Sequence, residues 1–281
     1  MAKASYTWKN CRPLWFRLPQ LCRVFTVFTY VMLAPLRERW VFDPQRIRAL
    51  ILVRDLYSAL PDLVNALLAQ GLQPNNIIML DSGSSAPACL ASLAALEQRG
   101  CRWIRLSPEE EAFGPYAPWL SHTVQGLIRS WRYPYLVTDP DLALSAKMPN
   151  DWLSQLFKTL CSHRFVLKVS LPLSIDNLSV PNSSAVVTHE QKLLKQPAYK
   201  ILTRIFLRNL PGASVCTTDT TLSIYRPSQF FSTLSIRLPS IYELYHLPWY
   251  DDYFSSSEYK YYQVHKLSFF GEWSSIAEIR K

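Results

Sequence analysis

Four short strand-like segments recur along the first half of the chain at intervals that leave room for a helix: ALILV (49–53), a continuous apolar run, NIIML (76–80), RWIRL (102–106) and YLV (135–137). An apolar run without alternation suits a strand buried on both faces. Between the first two runs a helix is expected from about Pro61, favourable in a first turn, to Gln70, with Gly71 as its stop. Pro87 opens a second helix that ends near Gly100, and a third is predicted from Trp119 to Ser130. Strands separated in this way join as βαβ units with right-handed crossovers, giving a mostly parallel sheet flanked by helices. In such sheets ligands bind beyond the carboxyl ends of the strands. Asp81 follows the second run, and Asp139 with Asp141 follows the fourth, so all three are expected at one crevice.

The later half is less regular. A helix is expected over 151–160, a strand from Phe165, and a strand pair or bent strand in SVCTTDTTLSIY (214–225), which carries Asp219. From Ile241 the chain is rich in aromatic residues. A chain of 281 residues can form one large α/β domain or two small ones, and neither an internal repeat nor a low-complexity linker divides it. The expected organisation is a leader over 1–48 and a single domain over 49–281.

The net charge of +9 points to an anionic partner. Before Leu50 there are nine Lys or Arg against Glu38 and Asp43 alone, so much of the excess sits in the leader. With the charge so placed and no recognition motif present, a nucleic-acid partner is not expected. The leader also carries VFTVFTYVMLA (24–34), too short for a bilayer span of ~20 apolar residues. With Trp8, Trp15 and Phe16 among its basic residues it suits a membrane interface, or else packs on the domain's own surface. The six scattered cysteines make no C-x-x-C pair and have no histidine at metal-ligand spacing, which fits reduced thiols in a cytoplasmic protein, peripheral at the inner face of a membrane if the leader binds there.

Read without companions, Asp139-Pro140-Asp141 is either a pair of oxygen ligands for a metal ion or a turn. Its companions resemble a family. LDSGSS (80–85) resembles the strand-end "D-N-G/A-S-T" box of family-two glycosyltransferases, and LVTDPDLAL (136–144) their D-x-D box. A closer likeness is to a bacterial group of family-two-like proteins, matched by Arg54-Asp55 after a strand, T-D-P-D (138–141), I-D-N-L (175–178), D-T-T (219–221) and H-L-P-W-Y (246–250). The resemblance runs over roughly 50–275. It implies the type A glycosyltransferase fold, GT-A, with an irregular aromatic-rich C-terminal part, and transfer of a sugar from a nucleoside diphosphate sugar to a glycan or lipid-linked acceptor.

The resemblance also implies roles. Asp141 would be a direct ligand of Mn²⁺ or Mg²⁺, with Asp139 on the ribose or on metal-bound water and His246 as a third metal contact. Asp81 would meet the base; its alternative is a turn with Ser82 and Gly83. Arg54 and Asp55 are candidates for nucleotide contact. The family's "E-D" base box does not occur in its usual form, which leaves Asp219, Asp251 and Asp252 as candidates for the catalytic base. The rival expectation is a GT-A-like protein that binds a nucleotide or glycan without catalysis.

Overall fold

The computed structural model describes residues 40–265, except 112, 177, 179–182, 219–220, 228–231 and 233. Among these residues the main sheet has eight strands. The four segments become β1 (Arg48–Val53), β2 (Ile77–Asp81), β3 (Arg102–Arg105) and β4 (Tyr135–Thr138), all parallel neighbours. Every residue of β2 and β4 is buried, as a strand covered on both faces requires. β3 lies at the edge and exposes Arg102 and Arg105, charges that discourage further pairing.

Beyond β4 the sheet changes sense. β8 (Ser223–Tyr225) runs antiparallel to both β4 and β6 (Lys168–Ser170). β9 (Leu234–Arg237) is parallel to β6, and β7 (Ser214–Thr217) closes the far edge antiparallel to β9. The SVCTTDTTLSIY segment is therefore two strands that do not pair with each other, since β9 and β6 lie between them. A second, two-stranded sheet joins β5 (Leu142–Leu144) to β10 (Leu244–His246). The whole is the mixed α/β, mostly parallel architecture that the GT-A resemblance implies.

Helices cover both faces. On one, α1 (Leu60–Ala69) presents Leu60, Leu63, Val64 and Leu67, a helical stripe, and α2 (Pro87–Gln98) presents Cys89, Leu93 and Leu96. They pack on Ala49, Ile51 and Val53, whereas Leu50 and Leu52 point to the other face and its cluster with Trp119, Val124, Ile128 and Trp131. Gly71 and Gly100 follow the two helices at φ 93° and 92°, the left-handed backbone that ends a helix. The predicted third helix is divided. After α3 (Pro108–Glu111), α4 (Ala117–Leu120) stops at extended Ser121, and α5 (His122–Ser130) restarts with the Ser121 hydroxyl accepting from Val124 N at 3.1 Å.

In the later half, α6 (Trp152–Ser162) follows β5, and α7 (Ser183–Lys195) and α8 (Pro197–Phe206) precede β7. Two helices follow β10, α9 (Asp251–Phe254) and α10 (Ser257–His265). The leader's apolar run and Asp219 lie outside the described residues. At the leader's end, Trp40 and Phe42 pack against the core. Among the described residues no helix is long and apolar enough to cross a membrane.

Candidate functional site

The carboxyl ends of the parallel neighbours β1, β2 and β4 lie side by side at the expected crevice, and local chemistry decides which side chains face it. Asp55 has φ 53°, a left-handed conformation that aspartate tolerates better than most residues. Its buried carboxylate accepts from Ser85 N at 2.6 Å and Ala86 N at 2.7 Å, and its own N–H donates to Ser84 Oγ at 3.0 Å. Ala86, the residue before α2, has no side chain to cap that helix, so a carboxylate from the first loop supplies acceptors there. Asp55 thereby fastens the β1 loop to the β2 loop.

Asp81 is fully buried. One oxygen accepts from Ser84 N at 2.6 Å and the other from Trp103 Nε1 at 3.3 Å, with Arg105 Nη1 at 3.6 Å. The Ser84 N–H ties this carboxylate into the SGSS loop. Nearby, burial above all pushes the Cys89 thiol up to about 12, so that it stays protonated and unreactive.

Arg54, at the end of β1, donates from Nη1 to the Ser82 carbonyl and lies 3.8 Å from Glu111 Oε2. The Glu111 carboxylate rests where a side chain on Gly83 would begin, a space left only because residue 83 is glycine. Glu111 is thus a crevice carboxylate that motif reasoning misses. The run EEEAF is its one local signal, and nothing in that run distinguishes it from Glu110, which turns inward to α5.

The D-x-D turn connects β4 to β5, and β5 pairs with β10 so that His246 lies opposite Leu142. Leu247 N donates to the Asp141 carbonyl at 3.0 Å. This register sets His246 Nε2 3.5 Å from Asp141 Oδ2, with the imidazole edge-on to Trp249 at 4.8 Å between ring centroids. Trp249 is buried with Val186 and is packed by Ile175, Leu178 and Tyr250, so the I-D-N-L and H-L-P-W-Y segments meet. Asp139 is half-buried and Asp141 buried.

Among the described residues no cluster of three or more His, Cys, Asp or Glu is ready to hold a metal ion. The donor set nevertheless fits one. Mg²⁺ and Mn²⁺ prefer oxygen ligands, and Mg²⁺ is commonly bound through one or two carboxylates, with substrate phosphates and water completing the shell.

Helix α10 lies across this crevice. Burial, followed by the nearby Asp141 carboxylate, pushes the Tyr262 phenol well up, with Asp139 adding to the effect. The same two leading causes raise the Tyr253 phenol. Tyr261 Oη is 3.1 Å from Ser85 Oγ, and Arg54 Nη2 lies 3.5 Å from the His265 carbonyl. At the start of the helix, buried Glu258 accepts through Oε1 from Ser58 N at 3.0 Å, from Tyr253 Oη at 3.0 Å and from Tyr57 N. The helix is held to the loop after β1 at one end and to the loop after β2 further along. Of the three expected base candidates, Asp252 is exposed on α9, and Asp251 begins that helix.

No protein-family model matches the chain, and no curated protein matches it. Solved structures do resemble it. A mannosyltransferase from Pyrobaculum calidifontis in complex with GDP-Man and Mn²⁺ aligns at 15% identity over 59% of this chain and 47% of its own, with a TM-score of 0.35. Glucosyl-3-phosphoglycerate synthase from Mycobacterium tuberculosis, in complex with Mn²⁺, UDP-Glc and phosphoglyceric acid, aligns at 13% identity over 68% and 62%, with a TM-score of 0.38. S. aureus TarS 1-349 aligns at 14% identity over 64% and 47%, with a TM-score of 0.38. In each case the alignment spans less than two thirds of the other chain. At these identities and TM-scores the likeness says nothing of what this chain does.

Proposed function

We propose that the crevice binds a nucleoside diphosphate sugar with a divalent cation and that the domain, over 49–281, transfers the sugar to an acceptor. The observation that carries this reading is the approach of His246 Nε2 to Asp141 Oδ2, 3.5 Å, made by the pairing of β5 with β10. Asp139, Asp141 and His246 are the groups that would hold Mn²⁺ or Mg²⁺. A bound ion would neutralise charge building on the departing diphosphate. Arg54 places a fixed cation at the end of β1, where a phosphate oxygen can share it with Glu111. Ser84 and Ser85, held by Asp81 and Asp55, give the β2 loop one shape before any ligand arrives.

The reading places the protein in the cytoplasm, with the 1–48 leader as its membrane contact and a glycan or lipid-linked molecule as acceptor. A second reading, binding without transfer, is favoured by the absence of the usual E-D base box from the sequence.

Calorimetry with UDP- and GDP-sugars, with and without Mn²⁺, tests the proposal. The expected outcome is metal-dependent binding of at least one donor, weakened tenfold or more in Asp141→Ala. Indifference of every nucleotide sugar to metal, or a variant that binds like the parent, would sink it. Sugar release or transfer that disappears in Asp139→Ala separates catalysis from binding alone.

A further inference from the structure

Helix α8 carries a surface that the crevice does not use. Its inner side is fixed by Tyr199, which is buried, by Leu202, which packs on the core, and by the Thr203 hydroxyl, which accepts from Val215 N of β7 at 2.8 Å. Helical geometry then turns Lys200, Ile201, Arg204 and Ile205 outward. Ile201 is 60% exposed and Ile205 54%. Phe206 and Leu194 are also exposed, so four of the seven large exposed hydrophobics among the described residues fall within 194–206. A water-facing helix normally puts polar groups at such positions, and clustered exposed apolar side chains mark a contact surface.

The charge around them is of one sign. From Gln191 to Thr218 the sequence holds Lys192, Lys195, Lys200, Arg204 and Arg208 and no Asp or Glu. All five cations are exposed, and among the described residues none meets a carboxylate. The preceding acid, Glu190, is turned inside onto Arg237 at 2.7 Å and does not offset them. Isoleucines flanked by lysine and arginine on one helix face match a bilayer: the apolar side chains enter the acyl boundary while the cations meet lipid phosphates.

We propose that the α7–α8 surface docks on an anionic lipid bilayer, with Ile201 and Ile205 inserted and Lys200, Arg204 and Arg208 on the headgroups. The site is distinct from the basic leader and stands independently of the donor reading above.

The test is co-sedimentation of the full chain with vesicles of phosphatidylcholine alone and of phosphatidylcholine with phosphatidylglycerol. Binding is expected to the anionic vesicles only, to weaken with salt, and to fall at least fivefold in Ile201→Ser/Ile205→Ser and in Lys200→Glu/Arg204→Glu. Far-UV circular dichroism and the melting temperature check that these exposed substitutions leave the fold intact. Hydrogen exchange on the unaltered chain gives a second reading, with amides of 197–206 slowing when anionic vesicles are added. Binding unchanged in both variants, equal binding to neutral vesicles, or no vesicle-dependent slowing in 197–206 overturns the proposal. So does a concentration-dependent dimer abolished by the same substitutions, which would make a second copy the occupant.

Discussion

Glu110 sits beneath the start of α5 with its oxygens accepting from Ser121 Oγ at 2.8 Å, Thr123 Oγ1 at 3.0 Å and Thr123 N at 3.2 Å. Burial pushes its pKa up, but the Ser121 and Thr123 donors outweigh it, and the net shift is downward. The folded carboxyl therefore holds fewer protons than the unfolded one near the ordinary glutamate value of about 4.3. Its stabilisation is complete above that value and is lost as pH falls through the lower folded value. In Glu110→Gln, unfolding free energy from urea titration should drop by about 1–3 kcal/mol at neutral pH, with a shallower decline in acid than the parent shows. The neighbouring glutamates illustrate what sequence does not carry at this scale. Glu110 and Glu111 are adjacent and identical, yet one caps a helix and the other lies in the crevice beside Arg54. The apolar runs place Asp81, Asp139 and Asp141 at strand ends. Whether such a carboxylate faces outward depends on loop amides, and Ser84 N takes Asp81 inward.

At the scale of elements, β1, β2, β4 and the two helices joining β1 to β3 are legible because each buries a local pattern: an apolar run, or a stripe ended by a left-handed glycine. The later strands are three or four residues long and partly polar inside. Ser170, Ser223 and Ser235 on adjacent β6, β8 and β9 are all fully buried, with the Ser170 hydroxyl 2.7 Å from each of the other two. A strand whose core face is serine leaves no apolar signature to read. The same region holds α7 to the sheet through the Glu190–Arg237 pair, with both side chains below a tenth exposed. Removing one member of a buried pair strands the other, so Glu190→Gln should destabilise by about 3–5 kcal/mol. Glu190→Leu with Arg237→Met should recover most of that, because the desolvation cost of both charges disappears together. Urea midpoints of the parent, single and double variants measure the difference.

For the whole molecule, the least legible feature is the cover that α10 places over the crevice, since its contacts have no local period. Glu258 gathers Tyr57, Ser58 and Tyr253, and its loss should free the helix more than the sheet. Native-state hydrogen exchange of Glu258→Ala should show α10 amides opening about 1–3 kcal/mol more easily, with the amides of β1, β2 and β4 little changed. Equal destabilisation of helix and sheet would make the cover part of the global fold. Tyr57 and Glu258 are separated by 201 residues, and almost the whole described chain lies between them. Closing so long a loop is entropically unfavourable until the intervening sheet has brought its ends together. The roof of the crevice is therefore expected to close only after the sheet beneath it has formed.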